Sequence, residues 1–259
     1  MLNVAIEAAK EAGKFLKYSV GKVKNIETKK GEERNLVSEI DKSSEEKIIG
    51  IIKRHYPSHT VLAEESGGSV SPSEYKWIID PLDGTTNFLH GVPLFSVTIA
   101  VERKGEVIAG VVYDPNLDEL FTAEKGSGAF CNGKRLRVSQ TAELINSLLV
   151  TGFPYDIAAE GRHVVEHFVN FLMEGQGLRR LGSAAIDLAY VAAGRFDGFW
   201  ELTLNPWDMA AGVLLVNEAG GRTTDFSGAA VDIYRKRILA SNGVIHDAML
   251  QVLARGNRT

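Results

Sequence analysis

The segment that most constrains the fold of this chain reads WIIDPLDGTTNF and spans residues 77–88. Its apolar residues predict a buried strand that ends at Asp80, and Asp83 follows three positions later. Pro81 fixes one backbone angle and removes a donor, and Gly84 permits a turn that other residues disfavour. Two carboxylates held close together repel each other unless a positive charge lies between them. The segment therefore predicts a divalent cation site or, as the purely structural alternative, an Asx turn.

Other acidic residues occupy similar positions elsewhere in the chain. Glu64 and Glu65 follow a short apolar run in VLAEES, Asp208 opens an apolar helix in PWDMAAG, and Asp41 lies at a helix start in VSEID. Each has a structural alternative, an exposed strand end for the glutamates and helix capping for the aspartates. Together and in this order they indicate a Mg²⁺ site, because Mg²⁺ prefers oxygen ligands.

Apolar periodicity predicts helices near the start of the chain. Residues 2–19 have helical spacing, and a second helix is expected from about residue 42, with Ser43 and Glu46 as a capping box. The polar segment 24–39 between them predicts a mobile loop or a loose hairpin.

The pattern of predicted secondary structure changes near residue 140. Before it, short β-like runs separated by turn residues, with a hairpin signal at Asn132-Gly133, predict an antiparallel meander. After it, strands alternate with helices. We therefore predict an α+β or α/β fold with an N-terminal α+β half over 1–140, which carries the antiparallel sheet and the main acidic motif. An α/β half over 141–259 would complete the site.

Composition limits the classes of function. The chain has 259 residues, of which 44% are hydrophobic, so it can bury a sizeable core. Its net charge of −4 predicts no general attraction to nucleic acid or to an anionic membrane. The single cysteine, Cys131, excludes an intrachain disulfide. With no signal-peptide core and no membrane-spanning run in the N-terminal sequence, we expect a cytoplasmic protein.

Several motifs resemble those of the inositol monophosphatase family, which comprises Mg²⁺-dependent, lithium-sensitive phosphatases. They are, in the family's order, VSEID, LAEES, WIIDPLDGTTNF, GSGAFCNGKRLRVS, LGSAAIDLAYVAAGRFDGFW and PWDMAAGVLLVNEAGG. The resemblance covers nearly the whole chain. It implies a layered αβαβα sandwich of the inositol monophosphatase and fructose-1,6-bisphosphatase type, two to three Mg²⁺ ions per site with Mn²⁺ able to substitute, and a homodimer.

The resemblance also implies roles for individual residues. A first metal ion would be held by Glu64, Asp80 and the Leu82 carbonyl, and a second by Asp80, Asp83 and Asp208, with a third, weaker ion on Glu64. Asp41 and Thr85 would orient the attacking water. Substrate contacts would come from Asp83, Gly84, Thr85, Gly182, Ser183, Ala184 and Glu201, where Ser183 replaces the more usual threonine.

The predicted activity is hydrolysis of myo-inositol 1-phosphate or a similar polyol or sugar phosphate. A fructose-1,6-bisphosphatase or dual-specificity enzyme is the alternative, because Arg179 and Arg180 would meet a second phosphate unless they are merely solvated. Lys29 and Lys30 are further candidates for contact with substrate or the third ion. A nucleotide 3′-phosphatase has less support, since no insertion for an adenine pocket is evident. An RNA-polymerase-associated interaction protein is the alternative from a different class.

Overall fold

The computed structural model describes residues 1–29, 32–69, 72–157 and 162–255. The helices in this part of the chain are α1 (Leu2–Ser19), α2 (Glu39–His55), α3 (Thr85–Leu89), α4 (His163–Glu174), α5 (Ala184–Ala192), α6 (Pro206–Glu218) and α7 (His246–Arg255). The strands are β1 (Ile26–Lys29), β2 (Glu32–Ser38), β3 (Thr60–Ala63), β4 (Gly67–Ser69), β5 (Tyr75–Asp83), β6 (Ser96–Arg103), β7 (Glu106–Asp114), β8 (Glu119–Glu124), β9 (Gly128–Cys131), β10 (Lys134–Arg135), β11 (Leu148–Thr151), β12 (Gly177–Arg179), β13 (Gly198–Leu202), β14 (Arg222–Thr224) and β15 (Arg237–Ser241).

The larger sheet has eight strands in the order β10-β9-β8-β7-β6-β5-β3-β4. From β5 to β10 every neighbouring pair is antiparallel, which confirms the predicted meander. Between β9 and β10 the backbone has positive φ at both Asn132 and Gly133, as a type I′ hairpin turn requires. Strand β3 differs because it pairs with β5 in parallel, so both strands end at the same edge of the sheet.

The smaller sheet has five strands in the order β12-β11-β13-β15-β14, and β11 runs parallel to both of its neighbours. Helices α5 and α6 lie between the two sheets, in one apolar cluster with residues such as Ile78 and Val112 of the larger sheet and Phe199 and Ile238 of the smaller one. Helices α1 and α2 pack on the other face of the larger sheet, around Trp77.

Helices α4 and α7 pack on the outer face of the smaller sheet, where Phe171 stacks on Trp200 at 3.9 Å between ring centroids. The layers therefore follow the order αβαβα, and the predicted fold is confirmed. None of the helices in the described ranges is both long enough and apolar enough to span a membrane. The boundary at residue 140 stays a prediction.

One helix start was predicted wrongly. Helix α2 begins at Glu39 rather than near residue 42, and its N-cap is Ser38, which forms a capping box with Asp41 instead of the expected Ser43 and Glu46. The earlier start brings Ile40, which is buried, onto the apolar face of the helix. The preceding polar segment forms the antiparallel pair β1–β2, which matches the hairpin alternative. Lys30 and the side chain of Lys29 lie outside the described residues.

Candidate active site

The first part of the site is built by the parallel pair β3–β5. Ala63 is the partner of Ile79 in this ladder, so the next residues, Glu64 and Asp80, lie side by side where β3 ends and β5 continues. The Glu64 N–H donates to the Ile79 carbonyl oxygen at 3.2 Å, which extends the pairing by one residue. Two acidic side chains distant in sequence therefore meet because their strands run in the same direction.

The segment after Asp80 forms the Asx turn that was the structural alternative for this motif. Asp80 nevertheless lies at the candidate site, beside Glu64. The Leu82 N–H donates to Asp80 Oδ1 at 3.0 Å, as an Asx turn requires. Asp83 is held differently, because its Oδ2 accepts from Ser183 Oγ at 2.5 Å and from the Ala185 N–H at 2.8 Å. These bonds join the acidic motif to the start of α5.

Asp41 and Asp208 each have a structural contact as well as a place at the site. Asp41 Oδ2 accepts from the Ser38 N–H at 2.9 Å, and Asp208 Oδ2 accepts from the Asn205 N–H at 2.6 Å. Both aspartates are therefore the third residue of a helix whose start they cap. In each case the capping bond uses one carboxylate oxygen, so the second oxygen remains available to the site.

The electrostatics of this cluster are unfavourable for four negative charges. Burial raises the pKa of Asp80 well above its ordinary value, and the neighbouring charges of Glu64, Asp83 and Asp208 raise it further. Burial raises the pKa of Asp83 to about 6, although the bonds from Ser183 and Ala185 oppose the change. Burial, followed by the charge of Glu64, also raises the pKa of Asp208.

These carboxylates fit a hard divalent cation by their chemistry. Burial and neighbouring carboxylates are the main causes that raise the pKa of Asp80, Asp83 and Asp208, so a bound cation would relieve the charge repulsion there. Oxygen donors with unbalanced negative charge are the ligand set that Mg²⁺ uses. Within the residues that the structure describes, however, no three acidic, histidine or cysteine side chains are already arranged around a common point.

The predicted water-orienting pair is in contact. Thr85 Oγ1 donates to Asp41 Oδ1 at 3.0 Å, and the Leu82 carbonyl oxygen lies at 3.1 Å as an alternative acceptor. Both Asp41 and Thr85 are buried. Burial raises the pKa of Asp41, while hydrogen bonds from Ser38 and Thr85 oppose the rise.

The predicted phosphate and sugar loops also meet. Gly84 has a φ of 94°, and a Cβ atom placed on it would lie 2.9 Å from the Leu94 carbonyl oxygen and 3.2 Å from the Gly182 carbonyl oxygen. This close approach requires glycine for both reasons, space and backbone angle. Ser183 is the N-cap of α5, and Ala184 is its first residue.

Glu201 on β13 reaches the same region and is buried. Its carboxylate lies so close to Gly152 that any Cβ at that position would overlap it. Burial raises the pKa of Glu201 to about 8, and the charge of Asp83 contributes to the rise, whereas Arg180 lowers it. Glu201 therefore lies within electrostatic range of Asp83, while the assignment of the individual site residues stays a prediction.

Some residues at the site were not predicted. Asp187 in α5 is buried, its Oδ1 has no hydrogen-bond partner in the described structure, and burial and Glu201 raise its pKa. Burial and the carboxylates of Glu64 and Asp208 raise the pKa of Tyr155, which places that phenol beside the acidic cluster. Asp187 lies within the motif LGSAAIDLAYVAAGRFDGFW, which is the signal that could have found it, whereas no pattern in the sequence points to Tyr155.

Comparison with known proteins identifies the family of the chain. The Inositol monophosphatase family matches residues 1–257. The chain is 44% identical over 254 residues to an inositol-1-monophosphatase of Mesorhizobium japonicum, covering 98% of this chain and 96% of that one. It is 43% identical to the Nus factor SuhB of Pseudomonas aeruginosa, covering 98% and 95%. The crystal structure of the extragenic suppressor protein suhB of Bartonella henselae superposes with a TM-score of 0.92 at 45% identity, covering 98% of both chains.

The fold and the site define a phosphoric monoester hydrolase. The chain belongs to the inositol monophosphatase family.

Proposed function

We propose that this enzyme is a Mg²⁺-dependent phosphatase that releases inorganic phosphate from myo-inositol 1-phosphate or a related polyol phosphate. The observation that carries the proposal is the clustering of three aspartates, Asp80, Asp83 and Asp208, within range of the Glu64 carboxylate, whose charge adds to burial in raising the pKa of each. Those side chains and the Leu82 carbonyl would hold the metal ions. When bound, such ions supply charge neutralisation at phosphate and an acidified water molecule.

Proton handling falls to Asp41 and Thr85. Because Thr85 Oγ1 donates its own proton to Asp41, its lone pairs are free to accept a hydrogen bond from the attacking water. Burial raises the pKa of Asp41, which makes this carboxylate a better proton acceptor than an exposed aspartate. The backbone at Gly84 and Thr85 lies at the start of α3, where N–H groups precede the first intrahelical acceptor and suit phosphate oxygens.

Glu201 supports a polyol substrate, because its buried carboxyl group would form hydrogen bonds with ring hydroxyls. A bisphosphate is the second candidate substrate, supported by Arg180. Its guanidinium lies beside Gly182, where an added Cβ atom would be 2.5 Å from Nη1, and its charge lowers the pKa of Glu201 and of Asp187. Arg179 instead donates to the Leu178 carbonyl oxygen at the surface.

A phosphate-release panel tests both substrates. Wild type, Arg180→Ala and the matched control Arg179→Ala are compared on inositol 1-phosphate, fructose 1,6-bisphosphate and a nucleoside 3′-phosphate, with titrated Mg²⁺, then Mn²⁺ and Li⁺. We expect turnover of inositol 1-phosphate that depends on Mg²⁺. Turnover without any divalent cation would contradict the proposed metal requirement. Undiminished turnover of the bisphosphate by Arg180→Ala would remove Arg180 from substrate recognition.

An interaction function is a further candidate, because some relatives are named Nus factor SuhB. The outward face of α4 also exposes apolar side chains at helical spacing, namely Val165, Val169, Leu172 and Met173. Pull-down of purified RNA polymerase by wild type and by the inactive Asp83→Asn variant would separate such a role from catalysis. The homodimer and the cytoplasmic location are part of the same proposal, and light scattering tests the former.

A further inference from the structure

Helix α2 directs polar side chains from one buried face toward the acidic strands. Asp41, Ser44 and Glu45 occupy positions i, i+3 and i+4 of the helix, so they lie on one face, and all three are buried. Asp41 accepts from Thr85, and Ser44 Oγ donates to the Pro81 carbonyl oxygen at 2.9 Å. Two of the three thus hold the segment that contains Asp80 and Asp83.

The third side chain, Glu45, holds the other acidic segment. Its Oε2 accepts from the Glu65 N–H at 2.8 Å, and its Oε1 accepts from the Ser66 N–H at 2.9 Å. Both oxygens of a buried carboxylate are therefore used on successive backbone amides. Hydrogen bonds to an ionised acceptor are stronger than neutral ones, so this is a firm anchor for the turn.

The anchored turn directly follows Glu64. On its N-terminal side Glu64 is fixed by the bond from its N–H to the Ile79 carbonyl oxygen. On its C-terminal side the chain leaves the sheet, and the amides held by Glu45 are the next two.

We propose that Glu45 is a positioning residue that holds the backbone of Glu64 at the cation site, an inference that rests on the proposed function. Glu45 acts from behind the site, through the amides of Glu65 and Ser66. Residues that orient a metal ligand in this indirect way typically change metal affinity by about 10–100-fold when they are replaced.

The test compares Glu45→Ala and Glu45→Gln with Glu46→Gln, a matched control because Glu46 is the adjacent, exposed glutamate on the same helix. Mn²⁺ binding to metal-free protein is measured by calorimetry, and Mg²⁺ dependence by hydrolysis. We expect Mn²⁺ affinity to fall about tenfold in Glu45→Ala and by less in Glu45→Gln, which keeps one acceptor oxygen. Glu46→Gln should bind like wild type. Thermal unfolding without metal identifies any variant that fails to fold. If Glu45→Ala does not fold, Glu45→Gln provides the test.

Glu64→Gln is measured alone and combined with Glu45→Gln. These variants distinguish a failure of the positioning role from a failure of the proposed function. If Glu64→Gln binds Mn²⁺ like wild type, the assignment of Glu64 as a ligand in the proposed function is wrong. If Glu64→Gln weakens binding but both Glu45 variants match Glu46→Gln, the positioning role is wrong. Since Glu45 acts through Glu64, its replacement should have no further effect in the Glu64→Gln background. A full additive loss there would overturn the inference, because it would show that Glu45 acts elsewhere.

Discussion

Asp83 provides a measurable link between the site and the stability of the fold. Its pKa is about 6 in the folded protein, against an ordinary value of 3.8. The folded state therefore binds this proton more tightly than the unfolded state, and it loses stability as the pH rises from about 4 to about 6. A pKa difference of one unit is worth about 1.4 kcal/mol, so above pH 6 the charged Asp83 lowers the free energy of unfolding by about 3 kcal/mol.

Replacement of Asp83 by asparagine removes the charge but not the shape of the side chain. The amide oxygen can still accept from Ser183 Oγ and from the Ala185 N–H, although a neutral acceptor gains about 1 kcal/mol less than a charged one. We therefore expect metal-free Asp83→Asn to be more stable than metal-free wild type by about 1–2 kcal/mol at pH 8, and to lose this advantage near pH 4.

Urea unfolding in the presence of a chelator, at pH values from 4 to 8, measures this difference. Saturating Mg²⁺ should then reverse the order, because a ligand at 100 times its Kd stabilises the folded wild type by about 2.7 kcal/mol. The variant should gain less and should have lost most of its activity. A stability difference that did not change with pH would refute the reasoning, because it would show that the Asp83 charge carries no cost in the folded state.

Three further predictions concern other residues. Asp41→Asn should lower kcat far more than Mg²⁺ affinity in steady-state kinetics, and a loss of affinity alone would exclude its water-orienting role. Gly152→Ala should displace the Glu201 carboxylate, so KM for a polyol phosphate should rise while hydrolysis of p-nitrophenyl phosphate changes little; equal effects on both substrates would contradict this. Burial lowers the pKa of His246 to about 4 from 6.5, so its contribution to stability should be complete above pH 6.5 and fall as the pH drops toward 4. His246→Gln should flatten that dependence in urea unfolding, and an unchanged profile would argue against it.

Local patterns predicted the elements of the fold well, because each depends on neighbouring residues. Pro206 at the start of α6 and the Asn132-Gly133 turn are examples in which backbone preference alone determines the structure. The start of α2 was harder because two capping boxes were available, and burial of Ile40 decided between them. That choice depends on the opposing sheet, which local sequence does not describe.

The site was predicted from motifs and resemblance, and the functional and structural readings turned out to be compatible. Asp80 forms an Asx turn, and Asp41 and Asp208 cap helices, yet all three lie at the site. What local sequence could not provide was the convergence of distant segments. Asp187 and Tyr155 reach the site through packing between layers, and Glu45 reaches the turn after β3 from helix α2.

The capping bonds of Asp41 and Asp208 affect how descendants of this enzyme should be interpreted. A lineage that abandoned hydrolysis would still lose a hydrogen bond at a helix start, worth about 1 kcal/mol, with either aspartate. The presence of Asp41 and Asp208 is therefore only weak support for catalytic activity in a homologous chain. Glu64 makes no such contribution to a helix start, so its replacement would be an earlier sign of a pseudoenzyme.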